Sequence, residues 1–445
     1  MGKRLAAALT IPARMLAICI AFLFCFELSA GAQTSDSVCA ANEDEALARA
    51  EEFHELAAQE LMRSRDIQWS GVRLDDFDRR ARDYVGKRTG ENLIFYAWDK
   101  TALCAFLWSR GSSQVISRHY ARVENGTHRL KGLAAEIRAT IADGLRTASR
   151  APTRQAVSAE EIAQEIATRA FGDVVRDASE LLYPLAFRDA LAQTTTVSII
   201  PVGPISTIPL AVLEPLGDGR SSIDLFSVNI LTLAEDIDTK LYGWVPGFSN
   251  ALVLGNPHAA VPGWDFPSLP GAEAEAVAAN AIFGGTLYLS RDATPARLAE
   301  KASKADLLVI AAHGLSDADD PMDGSFLALS DGPLTPRAIM DLDLSSHPLV
   351  VLSACQSGLG RVLDAGITGI ARGFQLAGAS NTVMSLWNVD DAATQFQMQR
   401  FYENLRTMTP SEALRQATIT AREKFPDPLK WAAFQIFGVS MVLAP

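Results

Sequence analysis

The chain is poor in the residues that hold metals. It has five cysteines and six histidines in 445 residues, and no two cysteines form a C-x-x-C pair, so the spacing of a structural zinc site is missing. No pattern implies a metal or an organic cofactor. After position 32 no stretch reaches 18 unbroken apolar residues, which excludes a membrane-spanning helix there. A basic stripe is also lacking. Lys and Arg number 40 against 52 Asp and Glu, for a formal charge of −12. Binding to nucleic-acid phosphates depends on a surplus of the former, so nucleic acid is not an expected partner. Internal repeats and low-complexity tracts are absent, which argues against a solenoid or a disordered chain. The remainder, 48% hydrophobic and 21% charged, has the composition of a globular protein.

One apolar concentration stands at the N-terminus. Lys3, Arg4 and Arg14 precede the run from Met15 to Phe26, and Ala30-Gly31-Ala32 follows. This order reads as a secretory signal peptide over 1–32, with a mature start at Gln33. The run is shorter than the roughly 20 residues of a membrane span; an uncleaved anchor is the alternative. The mature chain is expected to be exported, periplasmic or extracellular. Its charge would be near −14, since the leader carries three basic residues against Glu27 and −12 − 2 = −14. Three cysteines would remain, Cys39, Cys104 and Cys355. In an oxidising compartment Cys39 and Cys104 could pair, tying the N-terminal arm to the body and leaving Cys355 free. Alternatively Cys104, within the apolar run from Leu103 to Trp108, is a buried small hydrophobe.

Periodicity divides the mature chain into three parts. Residues 33–90 form a helical arm. Ala46, Ala50, Phe53, Ala57 and Leu61 mark one helical stripe, and His54 falls on its charged side as a solvated histidine. A second short helix is expected from Leu74 to Tyr84, with Asp75, Asp76 and Asp78 near its start. Residues 91–195 begin with an aromatic hairpin, 92–98 and 102–108, then a strand near 114–122. Two long helices follow, from Arg129 to Arg146 and from Ser158 to about Ala192, with a break near Pro184. Residues 196–445 alternate short apolar strands with helices. That pattern predicts an α/β three-layer sandwich, a mainly parallel sheet covered by helices on both faces. The closing strand is expected between Trp431 and Val442.

Within this last part, three continuously apolar runs carry reactive ends: 306–314 ending in His313-Gly314, 348–358 passing through Cys355, and 381–387 ending in Trp387. Ligand sites in open α/β sheets lie beyond the carboxyl ends of the strands. If the first two strands are neighbours, His313 and Cys355 project side by side. A thiol attacks acyl carbonyls as its thiolate, which a nearby histidine supplies. The backbone N–H groups of Gly314 and Cys355 are then the candidate oxyanion donors. Asp317, Asp319, Asp320 and Asp323 crowd the loop after His313, and Asp390 and Asp391 follow Trp387. Asp317, Asp320, Asp390 and Asp391 are candidate contacts for a basic substrate side chain. A solvated acidic loop, with Asp391 as a helix N-cap, is the other reading of these residues. His347 starts the Cys355 strand at the end away from the site.

The motifs resemble one family. Ala312-His313-Gly314, Leu352-Ser-Ala-Cys355-Gln-Ser-Gly358, the segment from Ala377 to Trp387, Phe401-Tyr402 and Trp431-Ala-Ala-Phe434 stand in the order found in CHAT domain peptidases. These are a bacterial branch of the caspase-like group that includes separases and gingipains. Weaker likeness lies in Pro201-Val-Gly203 and Leu269-Pro-Gly-Ala-Glu273-Ala-Glu275. The resemblance covers about Leu74 to Ala444. It implies a caspase-like fold, a cysteine endopeptidase with His313 as base and Cys355 as nucleophile, and a protein substrate with a possible regulatory protein partner. A catalytically silent or self-inhibited scaffold and another thiol acyl-transfer hydrolase are the rival functions. The chain departs from the family in Ser357, where threonine is usual. It also has too few residues before the domain for two 34-residue tetratricopeptide repeats.

Overall fold

The computed structural model describes residues 38–63, 76–111, 114–149, 171–231, 236–237, 243–244, 247–317, 319–354, 361–363, 366–388 and 390–443. The leader, residues 151–153 between the two expected long helices, the start of the helix expected from Ser158, and Cys355 with Gln356, Ser357 and Gly358 lie outside them.

Helix α1 (Glu43–Arg63) leads into α2 (Phe77–Gly86). Strands β1 (Glu91–Trp98), β2 (Leu103–Arg110) and β3 (Ile116–Val123) form an antiparallel meander. The expected hairpin is present, and Asp99 builds its turn: Oδ1 accepts the N–H groups of Thr101 and Ala102, both at 2.8 Å. Helices α3 (Gly126–Ser149) and α4 (residues 171–182) follow, and the chain breaks at Pro184 as its missing N–H requires. The alternating part comprises β4 (Thr196–Ile200), β5 (Ser227–Ile230), β6 (Ala251–Gly255), α5 (Pro270–Phe283), β7 (Thr286–Leu289) and α6 (Pro295–Ala302). Then come β8 (Leu307–Leu315), β9 (Phe326–Leu329), β10 (Gly332–Leu334), β11 (Leu349–Ala354), α7 (Ile370–Ala377) and β12 (Asn381–Ser385). Helices α8 (Asp391–Asn404) and α9 (Pro410–Lys424) precede the closing strand β13 (Phe434–Gly438).

These thirteen strands make one mixed sheet in the order β10-β9-β8-β11-β12-β13-β5-β4-β1-β2-β3, with β6 paired onto the first half of β8 and β7 paired onto β6. Strands β4, β6, β11, β12 and β13 are buried at nearly every position, so both faces are covered, as the unbroken apolar runs require. The boundary at 195/196 falls inside the sheet: β1 pairs in parallel with β4, Glu91 opposite Thr196. The sheet has two wings, which meet through β13 and β5 at the pair Phe437 and Ile230. The closing strand runs antiparallel to β12 and parallel to β5.

The arm is fastened to the first wing. Cys39 and Cys104 form a disulfide with Cα atoms 5.5 Å apart, the first of the two arrangements open at the sequence level. Arg118 of β3 holds Glu43 and Asp44 of α1 together with Asp78 of α2. Asp78 therefore faces inward rather than toward the helix terminus. Burial raises its carboxyl, but hydrogen bonds from Arg82 and Trp108 and the charge of Arg118 outweigh this and hold it below the usual range.

His54 is not solvated. The buried stripe of α1 is wider than the one read from the sequence: Ala46, Leu47, Ala50, Phe53, Ala57 and Ala58 face inward, and position 54 lies in the middle of that spacing. The ring stacks at 4.5 Å on Phe95, and Nε2 donates to the Tyr96 carbonyl at 2.7 Å. Desolvation lowers its pKa from 6.5 to about 4, against the opposing backbone hydrogen bond. A depressed folded value gives stability that is present above pH 6.5 and lost as pH falls toward 4, here about 3 kcal/mol. Urea unfolding at pH 7 and pH 4 should show this loss in the wild type and its absence in His54→Gln. Equal pH dependence in both proteins would rule it out.

Candidate active site

Strands β8 and β11 are parallel neighbours. Ala311 lies opposite Ser353, and Ala312 opposite Ala354. His313 follows Ala312 directly, and Cys355 follows Ala354. The two segments picked from the sequence thus reach the same edge of the sheet in the same register.

His313 is half-buried and held from one side. Its Nε2 lies 2.7 Å from the carbonyl oxygen of Pro267. A carbonyl only accepts, so Nε2 carries the hydrogen and Nδ1 keeps its lone pair. The imidazole stacks on Phe266 at 4.9 Å, and Phe266 stacks in turn on Trp264 at 5.9 Å. Asn256 fixes the loop that brings these residues in. Its N–H donates to the Ala311 carbonyl at 2.9 Å. Its side chain receives the Leu269 N–H at 2.8 Å and donates to Glu273 at 3.0 Å. Asn256 has φ of 44°, a left-handed conformation that asparagine adopts more readily than most residues. Both ends of the 256–269 loop are therefore tied to the histidine strand. Gly314 lies opposite Leu327 in the antiparallel pairing of β8 with β9.

A small pocket of about 50 Å³ opens beside Ala312 and Ala354, walled by Glu275, Ser353, Ser385 and Asp391. Ser385 donates to the Ala354 carbonyl at 2.8 Å. Asp391 is the first residue of α8, and its Oδ2 accepts the Gly271 N–H at 2.8 Å. Only glycine fits at 271, since a Cβ there would sit 2.4 Å from the Asp391 carboxylate. The N-cap of α8 is Asp390, not Asp391: its side chain accepts the Ala393 N–H at 3.0 Å.

Glu275 is the group that sequence reading passed over. Its Oε2 accepts from Ser353 at 2.7 Å and its Oε1 from Tyr402 at 2.6 Å. Desolvation raises its pKa from 4.5 to about 7. The two hydroxyl donors work against that rise, and the charge of Asp391 adds to it. A raised folded value gives stability that is complete below pH 4.5 and lost as pH rises through about 7. A signal for this residue existed. In the segment noted only as a weak likeness, Ala272, Glu275, Ala276 and Ala279 share one helical stripe, so the glutamate falls among core positions.

The remaining candidates lie elsewhere. Asp317 accepts the N–H groups of Asp319 at 2.8 Å and Asp320 at 3.0 Å. Asp320 accepts that of Asp323 at 3.2 Å, and Asp323 forms a two-pronged pair with Arg337, both contacts at 2.8 Å. These carboxylates build their own loop. His347 Nδ1 lies 2.8 Å from the Gly378 carbonyl at the opposite end of its strand. Among the described residues no group of His, Cys, Asp and Glu is placed to hold a metal ion, and no helix is long and apolar enough to cross a membrane.

This arrangement is an α/β fold of the caspase-like kind. It overlaps the yeast (Saccharomyces cerevisiae) separase in its complexes with securin at TM-scores of 0.58 and 0.59, with 10% identity, over 91–92% of this chain and 34–35% of the separase chain. Gingipain R, described as an Arg-specific cysteine proteinase, overlaps at a TM-score of 0.42 with 13% identity, over 63% of this chain and 70% of that one. The chain belongs to the CHAT domain family, whose model matches residues 173–439. Curated relatives include the human tetratricopeptide repeat protein 28, 26% identical over 54% of this chain, and its mouse counterpart, 27% identical over 43%. The matched part spans 10–12% of the length of those relatives.

Proposed function

We propose that the chain is an exported cysteine endopeptidase in which Cys355 attacks a peptide carbonyl and His313 manages the proton. The observation that carries this reading is the Pro267 contact. It leaves Nδ1 of His313 as the free base, on a strand whose preceding residue lies opposite Ala354. Nδ1 takes the thiol proton, and the thiolate adds to the carbonyl carbon. The tetrahedral oxyanion collapses to a thioester as the imidazolium protonates the leaving amine. Water, deprotonated at Nδ1, then hydrolyses the thioester, releasing the acid and restoring the thiol.

Ser385 supports the oxyanion site. It holds the carbonyl of Ala354, the residue before Cys355, and the Cys355 N–H is the first oxyanion donor in this reading. The Gly314 N–H is the second donor in this reading. Of the four acidic candidates, Asp391 lines the pocket, which supports it as the contact for a basic substrate side chain. Export is supported by the leader-like N-terminus and by the Cys39–Cys104 disulfide, a bond that persists in oxidising compartments.

An electrophilic, thiol-directed peptide probe tests the reading in purified protein. Wild type should be labelled within minutes, Cys355→Ala not at all, and His313→Ala at least ten times more slowly. Labelling of Cys355→Ala at the wild-type rate would show that the nucleophile has been misassigned. Labelling at Cys355 no faster than that of a free thiol would favour a silent scaffold.

A further inference from the structure

Two carboxyl groups are fully buried among the described residues, and they are built differently. Glu91, at the start of β1, has the Arg88 guanidinium 3.6 Å away and hydrogen bonds from Tyr84 and Ser198. Glu275 has hydroxyl partners and, among the described residues, no cation. Burying an acid without a counter-ion costs more than burying an apolar residue of the same shape. Stability therefore does not explain a carboxyl at this position. Its location does: it joins α5 to α8 through Tyr402 and to β11 through Ser353, two residues before Cys355.

We propose that Glu275 is a positioning residue for the Cys355–His313 pair, holding the end of β11 through Ser353 and switching that hold when it ionises. The inference rests on the peptidase reading of the same site. The carboxylate offers both oxygens as acceptors, so both hydroxyls can donate to it at once across the 2.7 and 2.6 Å contacts. The neutral acid must itself donate from one oxygen. Ser353 or Tyr402 then turns to accept, and the charge-assisted tie to β11 is lost. The ionised form is therefore the one that positions the site. Among the described residues the titratable groups facing Glu275 are Tyr402 and Asp391, both from α8. β8 presents Ala312, β11 presents Ser353 and Ala354, β12 presents Ser385 and β13 presents Phe434. Burial opposes ionisation most, the charge of Asp391 adds to it and the two hydroxyl donors counter it, so the transition falls near neutrality instead of in the acid range.

The test follows alkylation of Cys355 by iodoacetamide from pH 5 to 9 in the full chain, identified by peptide mass, so it does not require peptide cleavage. In wild type the rate should have a rising limb near pH 7, where Glu275 titrates. In Glu275→Gln that limb should vanish, and the rate at pH 8 should fall at least tenfold. Ser353→Ala, a smaller change that keeps the acid, should lose the limb too, and it serves if Glu275→Gln fails to fold. Circular dichroism melts establish which variants are folded. A folded variant of either kind that keeps the limb overturns the positioning role. A wild-type Cys355 that reacts like a free thiol, with a single transition near its own ordinary pKa, overturns the peptidase reading and this inference with it.

Discussion

Cys355→Ala is expected to lower kcat/KM for a cleaved peptide by at least about 10⁴-fold, and His313→Ala by between about 10³- and 10⁵-fold. The second figure can be assembled from its parts. Without the imidazole, the thiol returns toward its free pKa of about 8.5, so only about 3% is thiolate at pH 7, a loss of about 30-fold. The leaving amine also loses its proton donor, a contribution of about 10²–10⁴. Both terms depend on one geometric fact, the fixing of Nε2–H on the Pro267 carbonyl, which keeps Nδ1 available. Fluorogenic peptides identified from a substrate library provide the measurement, with circular dichroism confirming the fold of each variant. Retention of activity within tenfold of wild type in His313→Ala would remove it from the mechanism.

The second large effect is on stability. Replacing both Cys39 and Cys104 with alanine is expected to cost about 4 kcal/mol. The bridge closes a loop with a sequence separation of 65, and closure of that length removes a corresponding entropy from the unfolded chain. The loss should be local. α1 packs beside β1, while the site lies on the other wing, across the Phe437–Ile230 pair. Limited trypsin digestion should therefore cut at Arg49 much faster in the double variant, with probe labelling at the site unchanged. An arm that remains equally resistant in the double variant would show that the helix packing and the Arg118 ion pairs suffice without the bridge.

The sequence made some of this legible and hid the rest for identifiable reasons. The runs at β6, β8, β11 and β12 were readable because strands covered on both faces carry apolar residues on both, without alternation. The hairpin was readable because Asp99-Lys-Thr has turn chemistry of its own. The division of β8, whose first half pairs with β6 and whose second half pairs with β9, was not, since strand pairing is decided by tertiary neighbours. The antiparallel sense of β13 was hidden in the same way. At the site, His313 stood out because a reactive side chain ended an apolar run. Its partner did not, because the Pro267 contact is made by a backbone carbonyl, and every residue has one. His54 and Glu275 share a further cause of error: each polar residue lies within an apolar helical stripe, where counting only hydrophobic positions skips it.

The burial of the Cys39–Cys104 bridge has a consequence at the bench. A thiol peptidase is ordinarily handled in reductant, yet this chain carries two sulfur sites with opposite needs. Both bridge cysteines are 0% exposed, so a small thiol reaches them only when the arm opens locally. A nucleophile oxidised as far as the sulfenic acid is restored by simple thiol exchange. If Cys355 is the nucleophile as proposed, brief treatment with a dilute monothiol under native conditions therefore restores its thiol before it unlocks the arm. Strong dithiol at elevated temperature, where the arm opens, breaks the bridge as well.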